Sequence, residues 1–244
     1  MENTISVKNL VKVYKIGQEK VVALNGVNFD VAKGEICCIL GTSGSGKSTL
    51  LNMLAGLEKP TAGEIIIDGI DIGKLNEKKI TRWRQKNIGF VFQSYNLIPG
   101  LTALENVAMP LTFRGVKKRH RKRLAQIMLI MVGLGRRMRH KASQMSGGQQ
   151  QRVGIARAFV SAPKIVFADE PTGNLDTRTT KEVMELMVRL SKKHNHSLIL
   201  VTHDREIATY ADRIITLRDG MVVSDEHKNI KITCVEKSKE RITK

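Results

Sequence analysis

Two hydrophobic periods alternate along this chain, and the places where they switch outline its architecture. Near the start, Ile5 to Tyr14 and Gly26 to Val31 carry apolar residues close to every second position, as half-buried strands do. Ile65, Ile66 and Ile67 then run into the turn pair Asp68-Gly69. ICCIL at 36–40 is continuously apolar, the pattern of a strand covered on both faces. IGFVF at 88–92 reads as a second strand of the sheet, IVFA at 165–168 as a further buried strand and LILV at 198–201 as the next. From Leu101 to Val160 the reading becomes helical: RLAQIMLIMVGL at 123–134 is too long and too apolar for a strand, and another helix is predicted to start at Ser146. Val183, Leu186, Met187 and Leu190 mark one helix face at i, i+3, i+4 and i+7, and IITL, Asp219-Gly220 and MVV read as a hairpin. These elements predict an α/β core interrupted by a helical insert at about 94–160, within a single domain over 2–244.

Composition narrows the class. The 244 residues and 41% apolar content suit one such domain with a real core. The apolar run IMLIMVGLG at 127–135 falls far short of the roughly 20 residues that cross a bilayer. No basic start leads into a long apolar stretch at the N-terminus, which predicts no signal peptide. Cys37, Cys38 and Cys234 are odd in number and lack metal-ligand spacing, so a reducing compartment is expected and a disulfide framework is not. Net charge is +18 and unevenly spread: between Asn106 and Ala168 there are 14 Lys or Arg and no acid. Nucleic acid, an anionic lipid surface, an acidic partner and a merely solvated basic face all fit that stretch, and charge alone does not choose among them.

The chemistry begins where ICCIL meets GTSGSGKST at 41–49. This matches G-x-x-x-x-G-K-[ST] between a buried strand and a predicted helix from Lys47 to Ala55, which Gly56 caps and Pro60 keeps from continuing. Gly41, Gly44 and Gly46, with Ser43 and Ser45 between them, let successive backbone N–H groups converge on phosphate oxygens at a helix N-terminus. Lys47 is placed to reach the β- and γ-phosphates, Ser48 to offer its hydroxyl to Mg2+, and Thr49 to lie near the α-phosphate. IVFADE at 165–170 supplies a strand ending in acid: Asp169 for the metal shell and Glu170 to polarise the attacking water. Gln93, after IGFVF, can bond both Mg2+ and that water, and His203, after LILV and Thr202, can donate to a γ-phosphate oxygen. Tyr14 can stack on an adenine ring or serve only as a packed strand aromatic.

A second loop, QMSGGQQQR at 144–152, raises a different question. The Ser146 hydroxyl and the N–H groups of Gly147 and Gly148 also form an anion site at a helix start. One mononucleotide has one triphosphate, so the second loop is read as serving the nucleotide of a second copy, with a glycine-rich helix cap that binds no ligand as the alternative. Two chains would face head to tail with two ATP molecules between them, closing under twofold symmetry.

Together these residues resemble the ATP-binding cassette (ABC) family, over nearly the whole chain from about Ser6 to Val223. The resemblance implies a P-loop NTPase core with an N-terminal antiparallel β subdomain and a helical subdomain insert. It implies that Gly41–Thr49 is the Walker A loop, Asp169 the Walker B aspartate, Glu170 the catalytic glutamate, Gln93 the Q-loop glutamine and His203 the switch histidine. Met145, Ser146, Gly147, Gly148 and Gln149 resemble the signature loop, with Met145 where the family usually has Leu. Tyr14 resembles the adenine-stacking aromatic, and Asp176 in GNLD at 173–176 the D-loop aspartate that links two sites across a dimer. ADEPTGNLD, GFVFQSYNLIPGLTALENV and SGGQQQRV are similar to the branch with lipoprotein-release, macrolide-export and antimicrobial-peptide export ATPases, which work with a separate membrane permease. The expected partners are then a second copy and permease subunits, with Ser94–Asn106 as the docking edge through Leu97, Ile98, Leu101 and Leu104, and the location is the cytoplasmic face of the membrane. The basic run KKRHRKR at 117–123 is expected to face anionic headgroups or the partner. A soluble ABC ATPase acting on ribosomes or nucleic acid is the alternative, and it is disfavoured by the single cassette and by the lack of room for long arms. A non-hydrolysing regulatory module would have lost Lys47 or Glu170, and both are present.

Overall fold

The computed structural model describes residues 3–228. The ends of the expected 2–244 range, with Cys234, lie outside the described residues.

The chain opens with two long strands, β1 (Asn3–Ile16) and β2 (Glu19–Ala32), paired antiparallel. They join β4 (Ala62–Ile67) and β5 (Ile70–Asp71) in a four-stranded antiparallel sheet of order β2-β1-β4-β5. β3 (Ile36–Leu40), β6 (Ile88–Phe92), β7 (Ile165–Asp169), β8 (Ser197–Thr202), β9 (Arg213–Arg218) and β10 (Met221–His227) form the second sheet, in order β10-β9-β3-β8-β7-β6. All its pairings are parallel except the β9–β10 hairpin.

The apolar runs of β3, β7 and β8 are buried on both faces, whereas β6, at the sheet edge, buries Gly89 and Val91 on one face and leaves Ile88, Phe90 and Phe92 half-buried on the other. Cys37, Ile39, Phe167, Ile199 and Val201 point into a core shared with the antiparallel sheet and with α1 (Lys47–Leu54). Ile36, Cys38, Val166, Ala168, Leu198 and Leu200 point the other way, onto α5 (Gly147–Phe159) and α6 (Thr177–His194). The period-two alternation of a strand thus splits one sheet between two cores.

Between β6 and β7 the chain forms α3 (Ala103–Phe113), α4 (Lys118–Met131) and α5. The helix read at 123–134 begins five residues earlier and ends at Met131, because the basic segment before Leu124 has no apolar period to announce it. α5 returns to the sheet along β6, where a Cβ at Gly89 would lie 2.3 Å from the Ala158 carbonyl oxygen. That contact demands glycine. α2 (Glu77–Asn87) has no counterpart in the sequence reading. Its side chains are mostly charged and only Ile80 and Asn87 are buried, so it offers no apolar stripe. The Asn76 side chain starts it by accepting from Lys79 N at 2.9 Å.

No helix among the described residues is long and apolar enough to cross a membrane. Cys37 and Cys38 are free and buried, and burial pushes both thiols up, Cys38 to about 12.

Candidate functional site

β3 ends at Leu40, and the loop after it curls over the C-terminal edge of the parallel sheet, where ligands of such sheets sit. Its curvature is imposed at Gly46, whose φ of 97° lies in the left-handed region and whose Cβ would stand 2.5 Å from the Ala23 carbonyl oxygen. Lys47 begins α1 with its side chain aimed back along the loop, and Nζ donates to the Thr42 carbonyl at 2.7 Å. Lys47 is only 8% exposed, and no carboxylate lies within ion-pair distance of its ammonium among the described residues. A nearly buried cation with donors to spare and no counter-ion requires an anion, and the glycine loop frames the place for one. The cavity there is about 730 Å3 and is lined by Thr42 to Gly44, Gly46 to Thr49, Gln93, Asp169, Glu170 and His203, with Val21 to Ala23 on its far wall.

Four candidate side chains from three strands thus meet at one cavity: Gln93 after β6, Asp169 and Glu170 at the end of β7, and His203 after β8. Burial pushes the Asp169 carboxyl above its usual range and the Glu170 charge adds to this, while Lys47 pulls the other way. A bound cation would reverse the burial effect. No group of three or more His, Cys, Asp or Glu side chains is placed to enclose a metal among the described residues. The donor set of Ser48, Gln93 and Asp169 therefore suits Mg2+, which keeps several waters and takes further oxygens from phosphate.

Glu170 is held with unusual care. Its φ is 43°, a costly backbone for a residue with a Cβ, and its N–H donates to the Val201 carbonyl at 2.9 Å. The carboxylate accepts from Thr202 Oγ1 at 3.0 Å and from His203 N at 3.1 Å, and His203 Nδ1 lies 2.7 Å from the same Oε1. Thr202 is the residue that the sequence reading passed over. Its hydroxyl donates to Glu170 and accepts from Asp204 N at 3.1 Å, tying the carboxylate to the turn after β8. A threonine at the end of an apolar strand, one place before a candidate histidine, is the only signal the sequence carried for it.

The second loop lies elsewhere on the chain. Ser146 caps α5: its Oγ accepts from Gln149 N at 3.4 Å and Gln149 Oε1 accepts from Ser146 N at 3.3 Å, a weak reciprocal pair. Ser146, Gly148 and Gln149 line a separate cavity of about 360 Å3 with Arg152, Thr179 and Glu182, and this cavity shares no residue with the first. Gly148 must be small, since a Cβ there would meet Thr179 Cγ2 at 2.5 Å, and Gly147 is closed off by the Tyr95 hydroxyl at 2.7 Å.

Two candidates are engaged otherwise. Asp176 caps α6, accepting from Thr179 N at 3.0 Å and Thr179 Oγ1 at 2.7 Å, bonds that hold its carboxyl below the usual range. Tyr14 donates to Glu58 Oε2 at 2.6 Å, has the Lys12 ammonium 4.9 Å from its ring centroid, and lies beside Thr49, which lines the first cavity. Burial, then the Glu58 bond, push its hydroxyl pKa up.

An anion cradle beside an acid-ended strand of a parallel sheet, with a polar side chain from each neighbouring strand, defines a P-loop nucleotide hydrolase. Comparison with known proteins narrows the class. The ABC transporter family model matches residues 24–173, more than half of the chain. The chain is 45% identical to the lipoprotein-releasing system ATP-binding protein LolD of Geobacter metallireducens, over 92% of this chain and 100% of that one. It is equally identical to the macrolide export ATP-binding/permease protein MacB of Brucella melitensis, over 92% of this chain and 34% of that longer protein. The ATP-binding cassette MJ0796 of Methanocaldococcus jannaschii, solved as a dimer bound to ADP and Pi, superposes with a TM-score of 0.84 at 45% identity, covering 91% of this chain and 98% of that one. The chain belongs to the ABC transporter family, as an ATP-binding subunit related to the lipoprotein-releasing and macrolide-export ATPases. Its fold is that of a P-loop ABC ATPase, its reaction is ATP hydrolysis, and its cofactors are ATP and Mg2+.

Proposed function

We propose that two copies of this chain close head to tail around two ATP molecules, and that hydrolysis drives a separate membrane permease. The observation that carries this reading is the separation of the two anion-binding loops. Within one chain they border different cavities, so the α5 loop needs another molecule to meet a nucleotide. The dimer in which the MJ0796 cassette was solved supports the same arrangement.

In this reading the backbone N–H groups from Gly41 to Gly46 and the Lys47 ammonium hold the β- and γ-phosphates, with Ser43, Ser45 and Thr49 completing the cradle. Mg2+, when bound, draws charge from the phosphate oxygens, and Ser48, Gln93 and Asp169 would hold it. Glu170 polarises the water that attacks the γ-phosphorus, while the Thr202 hydroxyl and the His203 backbone N–H fix its carboxylate. His203 also serves as a donor to the γ-phosphate. Ser146, Gly147, Gly148 and Gln149 of one copy face the γ-phosphate bound by the other, and Asp176 sits at that junction. Tyr14 stacks on adenine with the ring face opposite Lys12. Residues 94–160 work as a helical subdomain inside one domain.

The permease-facing edge has a concrete shape. Asn106, 1% exposed, accepts from Ile98 N at 2.8 Å and donates to the carbonyls of Ile98, Leu101 and Thr102, so it fixes the docking loop. Leu97 packs on the core, Ile98 is 44% exposed, and Leu101 and Leu104 line a groove of about 450 Å3 with Ala108 and Met109. Lys118, Arg121 and Lys122 rim it. The cations of 117–123 have no carboxylate partner among the described residues, and Phe113 beside them is 66% exposed. That chemistry supports a peripheral position on the cytoplasmic face of the membrane with this corner toward anionic headgroups. Reversing four of these charges should weaken binding to anionic vesicles, and unchanged binding sinks this part.

The core reading is tested by ATPase rate against enzyme concentration. It should rise more steeply than linearly through the range where dimers dissociate. A strictly linear dependence from monomer to dimer contradicts it.

A further inference from the structure

Gln151 lies in the first turns of α5, past the Ser146–Gly148 loop, and is fully buried. Its Nε2 donates to the Phe92 carbonyl at 3.3 Å and to the Pro171 carbonyl. Phe92 immediately precedes Gln93, and Pro171 immediately follows Glu170. One amide therefore grips the two loops that bear the candidate water-handling side chains. Its orientation is fixed by these partners, because the flipped amide would set an oxygen against two carbonyl oxygens.

The other half of the amide is unused. Gln151 Oε1 is buried with no hydrogen-bond partner among the described residues. An apolar side chain of the same length would fill the space without that orphaned acceptor, so packing does not account for the glutamine. What the glutamine supplies is the two-pronged link. Farther along α5, Arg157 adds to it, with Nη1 donating to the Asn96 carbonyl at 2.5 Å and Nη2 to the Tyr95 carbonyl at 2.8 Å. Both of those residues have left-handed backbones, φ 47° and 60°, which need such support. Asn174 Nδ2 closes the ring by donating to the Gln93 carbonyl at 3.1 Å.

We infer that Gln151 is a positioning residue that locks the Gln93 and Glu170 loops to α5, so that capture of the partner copy's nucleotide at the α5 N-terminus sets the geometry of hydrolysis in its own chain. The inference rests on the two-copy reading and on the role given to Glu170. α5 is one rigid helix, so a shift at Ser146 is carried to Gln151 and Arg157 together.

The test compares Gln151→Met, which keeps length and loses both donors, with Arg157→Lys and with Glu170→Gln, each in the full chain. Gln151→Met should lower kcat about tenfold or more with KM for ATP within about twofold, the pattern of lost positioning. It should still form the ATP-dependent dimer when combined with Glu170→Gln, and its melting temperature should fall only modestly, since the Pro171 carbonyl loses its donor while the orphaned Oε1 is removed. A kcat within about twofold of the parent overturns the inference, and so does a raised KM with lost dimerisation. If Gln151→Met does not fold, Arg157→Lys is judged by the same criteria. Should Glu170→Gln itself keep parental turnover, the site reading fails; should it lose turnover while Gln151→Met does not, only this inference fails.

Discussion

Replacing Glu170 by glutamine separates chemistry from architecture. The carboxylate accepts from Thr202 Oγ1, His203 N and His203 Nδ1 within 3.1 Å. Glutamine keeps an oxygen for the His203 side. Its amide nitrogen then faces Thr202, whose hydroxyl can rotate to accept instead of donate. At most one hydrogen bond is weakened, about 0.5–1.5 kcal/mol of stability. The φ of 43° suits glutamine no worse than glutamate. Lys47 and the glycine loop are untouched, so ATP affinity should stay within a few-fold. Turnover is different, because an amide cannot take a proton from water. Losing a positioned base costs about 100- to 10,000-fold, or about 3 to 5.5 kcal/mol of barrier. Phosphate release would give kcat, nucleotide titration the affinity, and thermal melting the stability. A variant that kept more than about a tenth of parental kcat would refute Glu170 as the base.

Other expectations follow from single contacts. Gly46→Ala should abolish nucleotide binding and destabilise the fold by about 1–3 kcal/mol, since a Cβ would meet the Ala23 carbonyl oxygen at 2.5 Å on a backbone with φ 97°; equilibrium unfolding in urea reads it. Thr202→Val should lower kcat with little change in KM, because it frees one side of the Glu170 carboxylate, and steady-state kinetics separate the two. Arg213 grips Asp225 with Nε to Oδ1 at 2.6 Å and Nη2 to Oδ2 at 2.5 Å, and the guanidinium bonds hold the Asp225 carboxyl below its usual range. A lowered folded-state pKa means that the pair stabilises above the unfolded value of about 3.9 and loses that contribution as pH falls through the folded one. Asp225→Asn should therefore cost about 0.5–1 kcal/mol at neutral pH, after allowance for screening of a carboxylate one-third exposed, and the gap to the parent should close in acid.

Much of the fold was legible because buried strands of a parallel sheet announce themselves. ICCIL and IGFVF match their strands end to end, since no polar residue interrupts either run. α2 was illegible for the opposite reason: it is a charged surface helix with Ile80 as its single buried apolar residue. The positions of Gln93, Asp169, Glu170 and His203 were readable because each ends or follows a strand, and parallel strands deliver their C-terminal ends to one edge. Thr202 and Gln151 were not, because their meaning lies in hydrogen bonds to residues 32 and 20 positions away. Tyr14 shows the limit from the other side. Its aromatic character was plain, yet its bond to Glu58 and its Lys12 neighbour depend on how β1 meets the turn after α1.

The central claim is that one chain holds half of each hydrolytic site. Its most direct test is the mass of the Glu170→Gln variant by size-exclusion chromatography with light scattering, with and without Mg-ATP, alone and combined with Ser146→Arg. The account predicts a dimer only with ATP, and a monomer once an arginine fills the α5 loop, with ATP still bound at the parental affinity. A double variant that dimerises with ATP as tightly as Glu170→Gln alone would contradict it.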